Sequence, residues 1–92
     1  MTKAEFVDRL ARDDRIGSKK AAAETLDAVL ETITEALAAG GAVNFTGFGK
    51  FSVAERLPRQ GVNPRTRERI TISGGRVPKF SAGAALKARV RD

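Results

Sequence analysis

RLPRQGVNPRTRERITISGGR, running from Arg56 to Arg76, decides the fold of this chain. It carries six arginines (Arg56, Arg59, Arg65, Arg67, Arg69 and Arg76), one acid (Glu68), and a turn cluster, Gly61-Val62-Asn63-Pro64, near its centre. Successive side chains on an extended strand point to opposite faces. The spacing therefore predicts a strand from about Arg67 to Ser73, with Arg65, Arg67 and Arg69 on one face and Glu68, Ile70 and Ile72 on the other. A two-stranded ribbon with an arginine face has too little apolar surface to be a core element. It is shaped to lie against a polyanion, and nucleic acid is the first candidate.

The chain has 92 residues, enough for one small domain. With about twenty residues in a ribbon, the remainder falls in the size range where small domains recruit disulfides, metals or a second subunit. There is no cysteine and no histidine, so disulfides are excluded and a zinc site is not expected. Association of chains is the option left.

The net charge of +6 is unevenly spread. Residues 1–44 hold six Lys/Arg against eight Asp/Glu, and residues 45–92 hold eleven against three. A solvated charged face is the bland alternative, but here the basic groups concentrate in a ribbon with few acids to neutralise them. The longest uncharged apolar run, Ala36 to Val43, is too short to span a bilayer, and the charged N-terminus lacks the apolar centre of a signal peptide. The cytosol is the default compartment. Catalysis finds no His or Cys to work with, and Gly47-Phe48-Gly49-Lys50 lacks the spacing of a phosphate loop. No enzyme activity, cofactor, metal or small-molecule substrate is expected.

Outward from the ribbon, Thr2 followed by Glu5 has the capping-box form and starts a first helix at Lys3. Ser18 caps a second helix over about residues 19–39, ended by Gly40-Gly41. Its apolar stripe, Ala22, Leu26, Val29, Leu30, Ile33 and Leu37, recurs at helical spacing and is too long for the short first helix to cover. A partner helix is the economical cover. Val43 and Phe45 begin a period of two, Gly47-Phe48-Gly49 turns the chain, and Phe51 and Val53 continue in a second strand. Pro58 demotes the residues after it to an edge or free ribbon. Gly61 supplies positive φ or close packing at the tip. Gly74-Gly75 reads as a bulge or kink, Pro78 ends the third strand, and Ser81 caps a short last helix. Phe45, Phe48, Phe51 and Phe80 lie in apolar contexts and are assigned to the core rather than to base stacking.

Three pieces carry a family likeness: Val43 to Phe51 (VNFTGFGKF), Gly61 to Thr66 (GVNPRT), and Val77-Pro78-Lys79-Phe80 leading into the last helix. With the two helices before them they cover essentially the whole chain. The chain resembles the HU and integration-host-factor family of bacterial histone-like DNA-bending proteins. The likeness implies an α+β fold and an intertwined dimer. Each subunit would have a helical body, a three-stranded antiparallel sheet and a protruding two-stranded β-arm. The division would be 1–41 helical, 42–80 sheet with the arm at about 54–76, and 81–92 the last helix. It implies arms in the DNA minor groove and a tip proline that wedges between base pairs, here Pro64, flanked by Asn63 and Thr66. Basic contacts map onto Lys3, Arg56, Arg59, Arg69, Arg76 and Lys79, and the arginine spacing of the ribbon adds Arg65 and Arg67 as expected DNA contacts. The core phenylalanines map onto Phe48, Phe51 and Phe80; with Phe45 and the helix stripe Leu26, Val29, Leu30, Ile33 and Leu37 they make up the expected dimer core. Three positions depart from the family pattern: Val62 where many members carry arginine, Arg67 where glycine is common, and Ala84 where a basic residue is frequent.

The expected function is architectural: a dimer, homodimeric or paired with a paralogue, that binds double-stranded DNA in the nucleoid and bends and compacts it. Nicked, bent and junction DNA are the forms to test for preference. Few Asn or Gln side chains are available for base edges, so discrimination is expected to come from DNA deformability. The alternatives are a site-specific member of the same family, an adaptor whose ribbon augments a partner's sheet, and an RNA-binding protein.

Overall fold

The computed structural model describes residues 1–72 and 74–92, with Ile72 given by its backbone. Helix α1 (Lys3–Ala11) starts where the capping residues require, with Thr2 Oγ1 accepting from the Glu5 amide at 3.2 Å. The Glu5 carboxylate takes the Thr2 hydroxyl at 3.3 Å. Helix α2 (Lys19–Ala38) is capped by Ser18, whose Oγ accepts from the Ala21 amide at 3.1 Å. It closes on a Schellman turn: the Gly40 amide donates to Leu37 and the Gly41 amide to Ala36, both at 2.9 Å.

Two compact units divide the chain, Met1–Glu35 and Ala36–Asp92. In the first, α1 and the start of α2 bury Val7 and Ala22, the two buried apolar residues of the described chain. The rest of the α2 stripe is uncovered: Val29 is 46% exposed and Leu30 47%.

In the second unit, β1 (Val43–Phe45), β2 (Gly49–Arg56) and β5 (Gly75–Ala82) form an antiparallel sheet in the order β1-β2-β5. The arm is a separate two-stranded ladder, β3 (Arg59–Val62) against β4 (Arg69–Ile72). Helix α3 (Ala84–Arg91) follows β5. Four phenylalanines form one cluster on the sheet, with Phe51 and Phe80 ring centroids 4.8 Å apart and Phe45 and Phe48 6.5 Å apart. They are not enclosed within one chain, since Phe48 is 51% exposed.

Three sequence expectations are overturned in the sheet and the last helix. Pro78 does not end the strand; it sits within β5 opposite Val53. β5 is an edge strand, and an edge proline can turn its missing N–H away from the ladder. Ser81 is not the cap of the last helix; it pairs with Lys50, and the N-cap is Gly83. The capping acceptor is supplied from elsewhere in the chain, the Gly47 carbonyl taking the Leu86 amide at 3.1 Å. Of the two readings of Gly74-Gly75, bulge or kink, the bulge is excluded. Arg56 faces Gly75 and Arg59 faces Ile72, so two residues intervene on each side and the register is the same before and after the break. Leu57-Pro58 interrupts one strand, and opposite it Gly74 comes so close to the Arg56 carbonyl that a Cβ there would collide with it. The expected end of the third strand at Ser73 and the side chain of Ile72 lie outside the described residues.

Candidate nucleic-acid interface

Residues Asn63 to Glu68 form the arm tip, and Asn63 organises it. Its amide donates to the Glu68 carbonyl at 2.9 Å, and its own carbonyl accepts from the Arg67 amide at 2.7 Å. Its side-chain Oδ1 accepts from the Arg65 amide at 2.9 Å. Thr66 Oγ1 adds a long contact with the Glu68 amide at 3.4 Å. Asn63, Pro64 and Thr66 are thus brought together at the end of the ribbon, with the Pro64 ring exposed.

This turn removes two of the three arginines from the strand. Arg65 lies in the turn, Arg67 has φ +61, and only Arg69 belongs to β4. The expected single arginine face on a strand from Arg67 onward is therefore not formed. The local bonds to Asn63 satisfy backbone groups that a longer ladder would have paired. Nor is Gly61 the left-handed residue; it lies in β3 opposite Ile70, and Arg67 takes the positive φ.

Facing residues of an antiparallel ladder share a face. On the arm, Arg69 and Val62 lie on one side with Gln60 and Thr71, whose side chains bond at 3.3 Å. Arg59 lies on the other side, with Gly61 and Ile70. Cations therefore flank both faces and surround the tip. On the sheet, Lys50, Ser52, Arg56, Lys79 and Ser81 share the face opposite Phe51 and Phe80. Lys50 escaped the sequence reading because a lone lysine after GFG gives no periodic signal. Lys87, Arg89 and Arg91 on α3, all exposed, escaped it because no expected contact mapped onto them.

The second unit holds eleven Lys/Arg and three Asp/Glu. Among its described residues no ion pair forms, so these cations are not neutralised from within. The first unit differs. Lys3 pairs with Asp27 at 2.7 Å, Lys19 with Asp8 at 2.9 Å and Arg15 with Asp13 at 2.7 Å. The Arg15 hydrogen bonds lower the Asp13 carboxyl to about 2. Lys3, expected as a phosphate contact, is thus partnered, and Arg76 is engaged too: its Nη2 donates to the Ala38 carbonyl at 3.1 Å. No group of metal-ligating side chains occurs among the described residues, and no described helix is long and apolar enough to cross a membrane.

A helical pair, a three-stranded sheet and a basic two-stranded arm define a class of α+β proteins with known members. The family model described as bacterial DNA-binding protein matches residues 1–91, and the chain belongs to that family, the HU family. It is 51% identical over 92 residues to DNA-binding protein HU of Thermotoga maritima, covering 99% of this chain and 100% of that protein. It is 46% identical over 90 residues to DNA-binding protein HU-beta of Escherichia coli, covering 98% and 99%. Among solved structures, an Anabaena HU–DNA cocrystal matches with a TM-score of 0.90 at 44% identity, covering 98% of this chain and 97% of that one.

Proposed function

We propose that this HU-family protein is a non-enzymatic architectural component of the bacterial nucleoid, in the cytoplasm. It binds double-stranded DNA as a dimer, with weak sequence preference, and bends it. The observation that carries this is the contrast in charge: the unit bearing the arm holds a large excess of cations that form no ion pair among the described residues. Solvent and phosphate are left as their partners. The likeness to a chain solved with DNA supports the same conclusion.

In this mechanism Arg56, Arg59, Arg65, Arg67, Arg69 and Lys79 neutralise phosphates, joined by Lys50, Lys87, Arg89 and Arg91. Lys3 joins them when Asp27 releases it. The arms follow the minor groove, as in architectural proteins that insert apolar wedges between base steps, a group that includes HU. Pro64 is the wedge; Asn63 and Thr66 hold it in place. Weak sequence preference fits the tip chemistry, since the side-chain Oδ1 of Asn63, the acceptor a base edge would meet, already takes the Arg65 amide. Dimerisation is supported by the half-exposed Val29, Leu30, Phe45, Phe48 and Phe80. Covering each contributes about 1 kcal/mol, and the same subunit contact would enclose Leu26, Ile33, Leu37 and Phe51.

Salt titration tests the proposal. If a dimer neutralises roughly six to ten phosphates, log K falls against log[salt] with a slope of about −5 to −9. Replacing Arg65, Arg67 and Arg69 together by alanine flattens it. A slope near zero for the unmodified protein rules the proposal out. Sedimentation equilibrium at micromolar concentration is expected to give twice the 9.8 kDa chain mass.

A further inference from the structure

Arg76 faces Glu55 across the β2–β5 ladder, on the same side of the sheet as Phe51 and Phe80. A cross-strand ion pair is the ordinary outcome for such neighbours. It is not made. The guanidinium reaches the last turn of α2 instead, with Nη2 donating to the Ala38 carbonyl at 3.1 Å. Nη1 stands 3.7 Å from the position a Cβ on Gly40 would take.

A helix ends with four carbonyls that lack intrahelical partners. The glycine turn after α2 satisfies those of Ala36 and Leu37. The carbonyl of Ala38 comes next, and Arg76 supplies its donor. A guanidinium there also meets the negative end of the helix dipole. The arginine thus completes a cap begun by the glycines, from a strand far along the chain.

Its place on β5 gives the contact a second effect. One residue before Arg76, Gly75 faces Arg56 in the last pair of the sheet ladder, and beyond that pair the ladder is broken before the arm begins. The root of the arm is therefore the point where the sheet no longer holds it. Asn63 lies seven residue steps beyond Arg56, a reach of about 23 Å at the strand rise. A tilt of about 10° at the root displaces the tip by about 4 Å, more than the rise of one base-pair step.

We propose that Arg76 is a positioning residue that ties the root of the arm to the end of α2, and that it is not a phosphate ligand. This rests on the DNA-bending function proposed above. A phosphate ligand adds to the salt slope, about 0.9 per phosphate released. A strut adds nothing to it but fixes where the tip lies.

Arg76→Ala is compared with Arg59→Ala, which removes a free arm cation, and with the unmodified protein. Three readouts apply: the salt slope, the duplex end-to-end distance by energy transfer at saturation, and amide exchange at Gly40 and Gly41 in the free protein. For Arg76→Ala we expect the parent's salt slope, a longer end-to-end distance, and exchange at Gly40 and Gly41 accelerated roughly 2- to 30-fold, the range of cation effects at helix C-termini. Arg59→Ala is expected to flatten the slope and leave exchange alone. A slope reduced as in Arg59→Ala makes Arg76 a phosphate ligand and overturns the proposal. Faster exchange with the parent's bend makes it a cap only, which overturns it equally. Should Arg76→Ala fail to fold, Arg76→Lys decides. Lysine keeps the charge a phosphate needs but lacks the reach and fork of the guanidinium, so parent-like bending by Arg76→Lys refutes the strut. An unmodified protein without a salt slope refutes the DNA-binding function itself, while the exchange result still reports on the cap.

Discussion

The ring of Phe80 lies over the backbone of Gly49. A Cβ built on Gly49 would stand 2.5 Å from two carbons of that ring and 2.8 Å from the Ser81 carbonyl oxygen. The ring can shift, but the carbonyl belongs to the paired strand. Gly49→Ala is therefore expected to destabilise the fold by about 1–3 kcal/mol through overpacking. Urea denaturation measures this as a lower midpoint with unchanged slope.

Lys3 and Asp27 form an exposed pair, with side chains 62% and 60% accessible. Such pairs contribute roughly 0–1 kcal/mol, so Asp27→Ala changes stability little. It does release the Lys3 ammonium. We expect the variant to bind DNA more tightly at low salt, with a slope steeper by about 0.9 for each phosphate newly engaged. An unchanged slope would mean Lys3 lies off the DNA path.

Arg67 holds φ +61, a conformation that L side chains resist; the cost is about 1–2 kcal/mol. Arg67→Gly relieves the strain and removes a cation. Amide exchange at Asn63, Arg65 and Glu68 is expected to slow several-fold, while the salt slope flattens by up to about 0.9 per arm. Global stability serves as the control, since the tip lies beyond the sheet ladder.

Pro64→Ala keeps every arginine and removes the exposed ring. Bending about 20–30 base pairs by roughly 40–90° costs on the order of 1–6 kcal/mol. Without a wedge to favour the kinked step, the duplex relaxes. The salt slope is expected to hold, intact duplex to bind less well, and nicked DNA to bind nearly as before, because a nick already lowers the cost of bending. Equal end-to-end distances for parent and variant at saturation would reduce Pro64 to a turn residue.

Asp13 titrates near 2 because it accepts the side-chain and backbone hydrogen bonds of Arg15. Its folded value is below the ordinary 3.8, so whatever stability the pair adds is present above 3.8 and lost as pH falls through about 2. No effect of this pair is expected between pH 5 and 8. Carboxyl NMR titration should show the low value, and Arg15→Gln should return it towards the ordinary one.

Much of this was legible in the chain because the signals are local. Thr2, Ser18 and Gly40-Gly41 mark helix ends through bonds to residues a few positions away, and Pro58 breaks the strand where it stands. The helical stripe announced a missing cover that one chain does not supply. What failed was non-local. The cap of α3 is the carbonyl of Gly47, which no pattern around Ser81 encodes. Pro78 is tolerated because its strand lies at an edge, a fact of sheet order. The alternating arginines mimicked a strand because charge spacing is silent about the Asn63 bonds that fold the tip. Nothing near Arg76 in the sequence signals its bond to the Ala38 carbonyl, 38 residues away.

The unbroken register from Gly49 opposite Ala82 to Val62 opposite Arg69 makes the arm a ruler. Inserting one residue in a single strand would slide every facing pair and turn inward faces outward. Inserting one facing pair lengthens the arm by about 3.4 Å but inverts the tip. Only two pairs together, four residues added symmetrically, extend it by about 6.8 Å with the tip still facing the same way. Arm length in this fold can therefore change during evolution only in discrete steps, each moving the tip by about the length of two base-pair rises.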